Sequence, residues 1–145
     1  MKKIFFLSLI TSLIIGCSTQ GKKTLIEGAW QLSHEFIKSG DKISEFPVDI
    51  TGGEIKIWTE NSFVFVGRFE QDSIITDSFG GGTYKLEGNR YEEDVQYHSA
   101  GYYRGKKVKI LLEIKNDTLI QTYPVDDNWQ VNPDEYSVEK WVRIK

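Results

Sequence analysis

The two histidines are the first candidates for chemistry, because His34 and His98 are the only imidazoles in the chain. His34 alternates with three apolar residues, Trp30, Leu32 and Phe36. Period-two spacing places all four on one face of a strand, so His34 is predicted to point inward. There it would orient the polar head of a ligand, or it would be a core histidine whose hydrogen bonds are satisfied.

His98 alternates with Glu92, Asp94 and Gln96, so it is predicted to lie on the polar face of its strand. Such a set could bind a metal ion or transfer protons, but residues two apart on one face are also ordinary solvated neighbours. The sequence has no metal-ligand spacing and no nucleophile set beside a base. We therefore predict no catalytic residue, metal site or cofactor, and expect that the protein is not an enzyme. An enzyme would have to use one of the two histidines.

Aromatic side chains form the largest candidate site. A cavity lined by rings and a few hydroxyls suits an apolar or amphiphilic ligand. Alternatively, the rings fill the interior completely. The predicted lining consists of His34 and Phe36 with the inward-facing rings Phe63, Phe65, Phe69, Tyr84, Tyr91, Tyr97 and Tyr123.

The elements that position these residues are short β-strands. Alternation of apolar and polar residues is clear, for example at Tyr91, Glu93, Val95 and Tyr97, and each strand is expected to bury one face. No convincing helix follows residue 24. Eight strands are predicted, at residues 28–37, 54–59, 62–70, 82–87, 90–98, 106–115, 118–123 and 136–144.

Tight turns connect several of these strands. Glu60-Asn61, Gly88-Asn89 and Asn116-Asp117 stand at hairpin spacing and contain residues that tolerate positive φ angles. Gly80-Gly81-Gly82 precedes no helix, which excludes a phosphate-binding loop and favours a bend or bulge. Eight antiparallel strands in a meander leave two raw edges unless the sheet closes. The predicted fold is therefore all-β, an up-and-down eight-stranded β-barrel.

The N-terminus predicts export. Lys2 and Lys3 precede an apolar run of roughly a dozen residues that ends at Gly16, which is the pattern of a secretory signal peptide. The run is shorter than the roughly 20 residues of a membrane-spanning helix. We expect residues 1–16 to form a helical signal that is cleaved off.

Residues Ile14-Ile15-Gly16-Cys17 resemble the lipobox of bacterial lipoproteins. The resemblance implies that Cys17, the only cysteine, is lipidated and becomes the first residue of the mature protein. Several acyl chains give lasting membrane attachment. Ser18, in place of Asp, implies the outer membrane by analogy with sorting rules, and the lack of an acidic cluster favours the periplasmic face over the cell surface. Residues 17–24 read as the lipidated cysteine and a flexible tether.

The exported part has the size of one domain, residues 25–145. Loss of Lys2 and Lys3 changes the formal net charge from −3 to −5. A mildly acidic domain is a poor candidate for binding nucleic acid, which requires a basic face.

Gly28-Ala29-Trp30 on the first strand and Arg143 on the last resemble the lipocalin arrangement, and the whole chain is similar to small lipocalin-like envelope lipoproteins. The resemblance implies that Arg143 lies across Trp30 at the closed end of the barrel. A guanidinium stacks well on an indole face, and a small glycine lets strands approach closely. Unlike larger lipocalins, the chain has no helix after the last strand and no disulfide.

Two long connections complete the prediction. The segment Ser39 to Gly53 contains Ile43, Phe46 and Ile50 and would form a lid over the opening or a packed loop without a gating role. The loop Asp126 to Glu135, which carries Trp129, would close one end of the barrel.

We therefore expect a membrane-anchored barrel that binds a small apolar or amphiphilic ligand in the cell envelope. The alternative is an interaction module with a filled barrel, favoured by exposed apolar residues around Phe46 or Trp129. The sequence leaves the ligand, the oligomeric state and any protein partner open.

Overall fold

The computed structural model describes residues 24–145. The predicted signal peptide (residues 1–16), Cys17 and the predicted tether as far as residue 23 lie outside the described residues. Within residues 24–145, no helix has the length and apolar character needed to span a membrane. The strands are β1 Gly28–Ser39, β2 Lys42–Phe46, β3 Thr51–Trp58, β4 Ser62–Gln71, β5 Ile74–Glu87, β6 Arg90–His98, β7 Lys107–Lys115, β8 Thr118–Tyr123 and β9 Glu135–Arg143, with a short 3₁₀ helix at Gly101–Tyr103 between β6 and β7.

The strands form one closed antiparallel sheet. From β3 to β9 each strand pairs with the next in the chain, and β9 pairs with β1 to close the barrel. Both β2 and β3 pair with β1. β2 pairs with the second half of β1, from Glu35 to Ser39, and β3 pairs with the first part of β1, from Gly28 to Gln31. These two strands thus share one position in the wall. The predicted all-β, eight-stranded up-and-down barrel is confirmed.

The predicted hairpin turns are confirmed as well. Gly88-Asn89 joins β5 to β6 and Asn116-Asp117 joins β7 to β8. Gly88 has a φ of 64° and Asn116 a φ of 57°. Positive φ at these positions is what glycine and asparagine tolerate best, so the turn residues fix the register of the strands they connect.

The main differences from the predicted strands are an additional strand, β2, and a longer β5. The supposed loop Ser39 to Gly53 contains β2, whose Phe46 is buried. In addition, β5 begins at Ile74 rather than at residue 82. The first half of β5 carries polar residues and is followed by the glycine run. Glycine usually weakens strands, so the strand was predicted to begin only at the end of this run. Pairing with β4 along its whole length keeps this half extended.

The closed end of the barrel is filled by three tryptophans. Trp58 packs edge-on against both Trp30 and Trp141, with ring centroids 6.4 and 6.1 Å apart. The Arg143 guanidinium lies 4.1 Å from the ring centroid of Trp30. A side chain at Gly28 would collide with this guanidinium, since a Cβ there would lie 2.8 Å from Nη1. We call this end the floor of the barrel.

Arg143 also ties the incoming chain to the floor. Its Nη1 donates to the carbonyl of Glu27 and its Nη2 to the carbonyl of Leu25, at 2.7 and 2.6 Å. The Trp30 indole donates to the carbonyl of Ile26 at 2.8 Å. The segment before β1 is therefore held beneath the floor, in the arrangement that the lipocalin resemblance implies.

Candidate ligand-binding site

A β-bulge in β1 decides which side chains of this strand face the interior. The register with β9 shifts between Leu32 and His34, so Ser33 is the extra residue. Beyond the bulge the alternation is reversed: Glu35 points inward and His34 points outward. The prediction that His34 and Phe36 line the interior is wrong for this reason. On the outer side Nε2 of His34 lies 3.7 Å from Oε2 of Glu45.

A second bulge has the same effect in β6. The register with β5 shifts between Gly81 and Gly82, which leaves Gln96 as the extra residue. As a result, Tyr97 faces outward and is 69% exposed, so its predicted inward position is wrong. His98, expected on the outer polar face, turns inward instead. The predicted bulge at the glycine run is present, and it reverses the strand's face.

We call the half of the barrel opposite the floor the upper half. Its inward side chains surround a cavity of about 220 Å³. Its lining mixes carboxylates with rings and aliphatic groups, and it is more polar than the predicted aromatic cavity. The residues are Leu32, Glu35, Glu54, Lys56, Phe65, Phe69, Ser78, Glu93, His98, Tyr103, Ile110, Tyr123 and Glu139.

A buried ion pair forms the base of this cavity. Nζ of Lys56 lies 2.6 Å from Oε1 of Glu93, and both side chains are almost fully buried. The Tyr91 hydroxyl donates a hydrogen bond to the same oxygen at 3.0 Å. The Tyr91 hydroxyl in turn accepts one from the Trp58 indole at 2.8 Å. This chain connects the cavity to the floor and satisfies the charges that burial would otherwise penalise.

Two carboxylates meet above this base. Glu35 on β1 and Glu139 on β9 are direct cross-strand partners. The Tyr123 hydroxyl donates to Oε1 of Glu139 at 2.5 Å and lies 3.4 Å from Oε1 of Glu35. Burial, and then the charges of Glu139 and Glu54, raise the pKa of Glu35 to about 8. Burial also raises the pKa of Glu139. Like charges in directly opposite positions repel, which opposes ionisation of both.

Glu54 carries the third of these cavity carboxylates and is only 9% exposed. Its Oε2 accepts a short hydrogen bond of 2.5 Å from the Ser78 hydroxyl. Burial raises the pKa of Glu54 to about 7, although this hydrogen bond acts in the opposite direction. Neutral pH therefore lies within the titration range of two carboxylates in one cavity, which is typical of functional sites.

Aromatic rings form another wall of the cavity. Phe65 and Phe69 on β4 both line it. Gly80 makes room for the first ring, because a Cβ at this position would lie 2.4 Å from the Phe65 ring. Phe69 packs edge-on against buried Phe46 at 5.6 Å between ring centroids. The apolar wall is thus fixed from behind by β2 and β5.

The other predicted lining residues divide between cavity and floor. Tyr123 lines the cavity. Phe63, Tyr84 and Tyr91 are buried in the core below it. The predicted lining did not include Glu35, Glu54 or Glu139, because acidic residues on β-strands are usually exposed. The one available signal was the placement of Glu93 on the same face as Tyr91.

An opening leads into the cavity from the upper end. An adjacent space of about 350 Å³ shares Glu35, Phe69 and Ser78 with it and extends past Ile50 to the β4–β5 turn. The segment after β2 therefore borders the opening through Ile50. The loop from Asp126 to Glu135 does not close an end: Trp129 packs on the outer side, with Arg90 at 5.5 Å from its ring centroid.

Metal-binding groupings are not found in residues 24–145. No three carboxylates or imidazoles in this range are arranged to hold a metal ion. His98 uses Nδ1 to accept a hydrogen bond from the backbone N–H of Ala100 at 2.9 Å. Burial lowers the pKa of His98, so the imidazole is mainly neutral at pH 7.

The outer surface carries one apolar area, on strands β3 to β6. Val66 and Phe79 are cross-strand partners there, and they are 63% and 50% exposed. Val64 and Ile57 form the adjoining pair nearer the floor, and Tyr97 lies at the far side. We call these five residues the outer apolar face.

Comparison with known proteins gives no family for this barrel: no protein-family model matches the chain, and no curated protein has a significant match to it. The closed eight-stranded antiparallel barrel is compatible with a lipocalin-like fold, and the fold and the cavity are the findings from which a function has to be inferred.

Proposed function

We propose that this protein is a lipid-anchored, lipocalin-like barrel that binds a small amphiphilic molecule in the cell envelope. The observation that carries the proposal is the cavity of about 220 Å³ in the upper half, whose lining combines carboxylates with phenylalanine rings. Such a lining matches a ligand with a polar head and an apolar body.

The size of the cavity limits the ligand. Pockets for drug-sized molecules usually measure about 300–1,000 Å³, so the enclosed part of this cavity suits a smaller one. The head would bind near Glu35, Glu54 and Ser78, and the body would contact Phe65 and Phe69. The adjacent space at the opening provides room for a longer ligand to extend outward.

The role we propose is binding without catalysis. The Ser78 hydroxyl is engaged by Glu54, and Nδ1 of His98 is engaged by the backbone. Neither arrangement is that of a nucleophile activated by an oriented imidazole. The proposal involves no cofactor.

The proposed location rests on the sequence. The lipobox-like residues ending at Cys17 support lipidation, and Ser18 supports the outer membrane, with the periplasmic face favoured. Lipidation would place the barrel where it meets molecules that enter the envelope.

Native mass spectrometry of the protein extracted from its own membrane tests both the lipid anchor and the bound ligand. We expect the mass of residues 17–145 with acyl chains, plus the mass of a retained small molecule. Ser78→Trp should lose the added mass, because an indole at this position fills the opening. Thr83→Trp, an exposed position on the same strand, is the control and should keep it. An unlipidated chain would contradict the anchor, and the absence of any adduct in all three proteins would contradict the ligand.

The outer apolar face favours a second candidate function, contact with the bilayer surface. Residues 18–23 separate Cys17 from Thr24, and seven extended steps span at most about 25 Å. The chain enters beneath the floor, and Ile57 pairs with Ala29 at that same end. A lipid anchor at Cys17 would therefore hold the outer apolar face within reach of the membrane.

A fluorescent dye at a single position tests whether the outer apolar face contacts the bilayer. Val66→Cys would carry a polarity-sensitive dye on the lipidated protein, and Lys115→Cys, on β7, would carry the same dye as the control. On vesicles that contain brominated lipid, contact predicts quenching and a blue shift for the first position alone. Equal signals from the two positions would contradict it.

A further inference from the structure

Charge in the cavity is unbalanced. Among the described residues that line it, Lys56 is the one lysine or arginine, and it is already paired with Glu93. Within residues 24–145, no lysine or arginine nitrogen lies within 4.0 Å of the carboxylates of Glu35, Glu54 or Glu139, although the charge of Lys56 acts on Glu54 and Glu139 from farther away. Buried carboxylates without a counter-charge must either take up protons or bind a cation.

The hydrogen bonds distinguish the two carboxylates. Both oxygens of Glu139 accept, Oε1 from the Tyr123 hydroxyl and Oε2 from the Trp141 indole at 2.8 Å. Hydrogen bonds to both oxygens favour the charged form of a carboxylate. Tyr123 has a single hydroxyl proton, and its oxygen lies 2.5 Å from Glu139 but 3.4 Å from Glu35, so it donates only weakly to Oε1 of Glu35. Glu35 is therefore the less stabilised carboxylate of the pair, in agreement with its pKa of about 8.

Glu54 provides an independent sign of a ligand. Its side chain is nine-tenths buried, and its Oε2 accepts from Ser78. No described residue donates to its Oε1, and the side chain lines the empty space. This oxygen keeps accessible surface towards the cavity, so a ligand with an N–H group could donate to it directly.

We propose that the ligand is a small organic cation with N–H donors, an ammonium or guanidinium group on an apolar body, and that it binds between Glu54 and Glu35 with release of the Glu35 proton to solvent. This inference rests on the proposed function, because it names the ligand class of the same cavity. The aromatic wall, where Phe65 and Phe69 face the empty space, would contact the apolar body. The rings would also attract the cation.

The surroundings of Glu35 determine the pH dependence. The charged and titratable groups that face it are Glu54 and Lys56 from β3, Glu93 and His98 from β6, Tyr103 from the 3₁₀ helix, Tyr123 from β8 and Glu139 from β9. Burial and the neighbouring carboxylates raise its pKa to about 8. A bound cation favours the charged form and lowers that pKa, so the affinity must increase as the pH rises towards 8.

Benzylguanidinium and benzylurea are suitable probes, because they have nearly the same shape but only the first is charged, and it stays charged at all pH values used. Isothermal titration of the lipidated protein should show binding of benzylguanidinium at least tenfold tighter than of benzylurea. Its Kd should rise by up to about tenfold per pH unit as the pH falls from about 7.5 to about 5.5. The binding enthalpy should change with the ionisation enthalpy of the buffer, which reports the released proton.

Variants make the outcome specific. Glu35→Gln should weaken binding of benzylguanidinium and reduce its pH dependence to the part that comes from Glu54, whereas Glu70→Gln, an exposed change on β4, should leave both unchanged. Thermal melts verify that each variant is folded. Equal affinity for both probes without pH dependence would overturn this inference and leave the proposed function standing. Binding of neither probe would overturn it too, and only the added absence of a native adduct would remove the proposed function.

Discussion

The two halves of this barrel are built from the same strands but differ in what fills them. In the floor, Trp30, Trp58 and Trp141 pack edge to face without leaving space, and Arg143 covers the end. In the upper half, the same strands turn Glu35, Glu54 and Glu139 towards a cavity. The difference indicates that the floor provides stability, whereas the buried carboxylates of the upper half lower it, as the proposed binding role would require.

A polar layer separates the two halves. Lys56, Glu93 and Tyr91 form it, and the Lys56 ammonium lies 5.0 and 5.1 Å from the ring centroids of Trp58 and Phe63. The layer connects to the floor from above and to the cavity from below through one chain of hydrogen bonds. A change in this layer should therefore affect both stability and binding.

The largest effect is expected in the floor. Trp58→Ala removes a fully buried ring and the donor to Tyr91, and we expect a loss of about 4 kcal/mol in the free energy of unfolding. Tyr97→Ala on the exposed surface is the control and should change it by less than about 0.5 kcal/mol. Urea denaturation measures both. Similar losses for the two variants would contradict the division into halves.

Lys56→Met tests the polar layer. The change leaves Glu93 buried without its counter-charge, so we expect a loss of about 3 kcal/mol in urea denaturation. In the double variant Lys56→Met with Glu93→Leu, the unpaired charge is gone and most of the stability should return. A double variant less stable than the single one would show that the ion pair itself, and not the unpaired charge, determines the effect.

Arg143→Lys tests the end of the floor. Lysine keeps the charge but loses the planar stack on Trp30 and the two-pronged hydrogen bonds to the carbonyls of Leu25 and Glu27. We expect a loss of about 1–2 kcal/mol in thermal denaturation. An unchanged melting temperature would mean that charge alone accounts for the role of Arg143.

The upper half predicts an unusual pH dependence. The folded pKa values of Glu35 and Glu54, about 8 and about 7, lie above the ordinary value of 4.5. Folding therefore binds protons, and the stabilisation is complete below pH 4.5 and is lost as the pH rises to about 8. We expect the free energy of unfolding to decrease steadily between pH 5.5 and pH 8 in the absence of ligand.

The control for this pH effect is Glu35→Gln, which removes the main titrating group and should flatten the profile of melting temperature against pH. A wild-type protein that becomes more stable as the pH rises over this range would contradict the raised pKa values.

Period-two alternation and turn residues were enough to predict the fold. Asn116 and Gly88 marked hairpins correctly, and Trp30 with Arg143 indicated the closed end. The glycine run predicted a bend or bulge, but neither bulge could be assigned to a particular residue, because an extra residue such as Ser33 or Gln96 leaves no strong mark in the sequence. Each bulge reverses the face of everything after it.

Two residues of the candidate site, Glu35 and His98, lie beyond these bulges, which is why they were assigned to the wrong face. Alternation from Trp30 put His34 inside and Glu35 outside, and alternation from Tyr91 put Tyr97 inside and His98 outside. Phe65 and Phe69, on a strand without a bulge, were assigned to the correct face. Prediction from alternation therefore failed where tertiary pairing, not local pattern, decides orientation.

The most direct test of the account is the titration of the Glu35 side-chain carboxyl, followed by its ¹³C chemical shift in the presence and absence of benzylguanidinium. The account predicts a pKa of about 8 for the free protein and a decrease of at least about one unit when the probe is bound. A carboxyl that titrates near its ordinary pKa in both samples would contradict it.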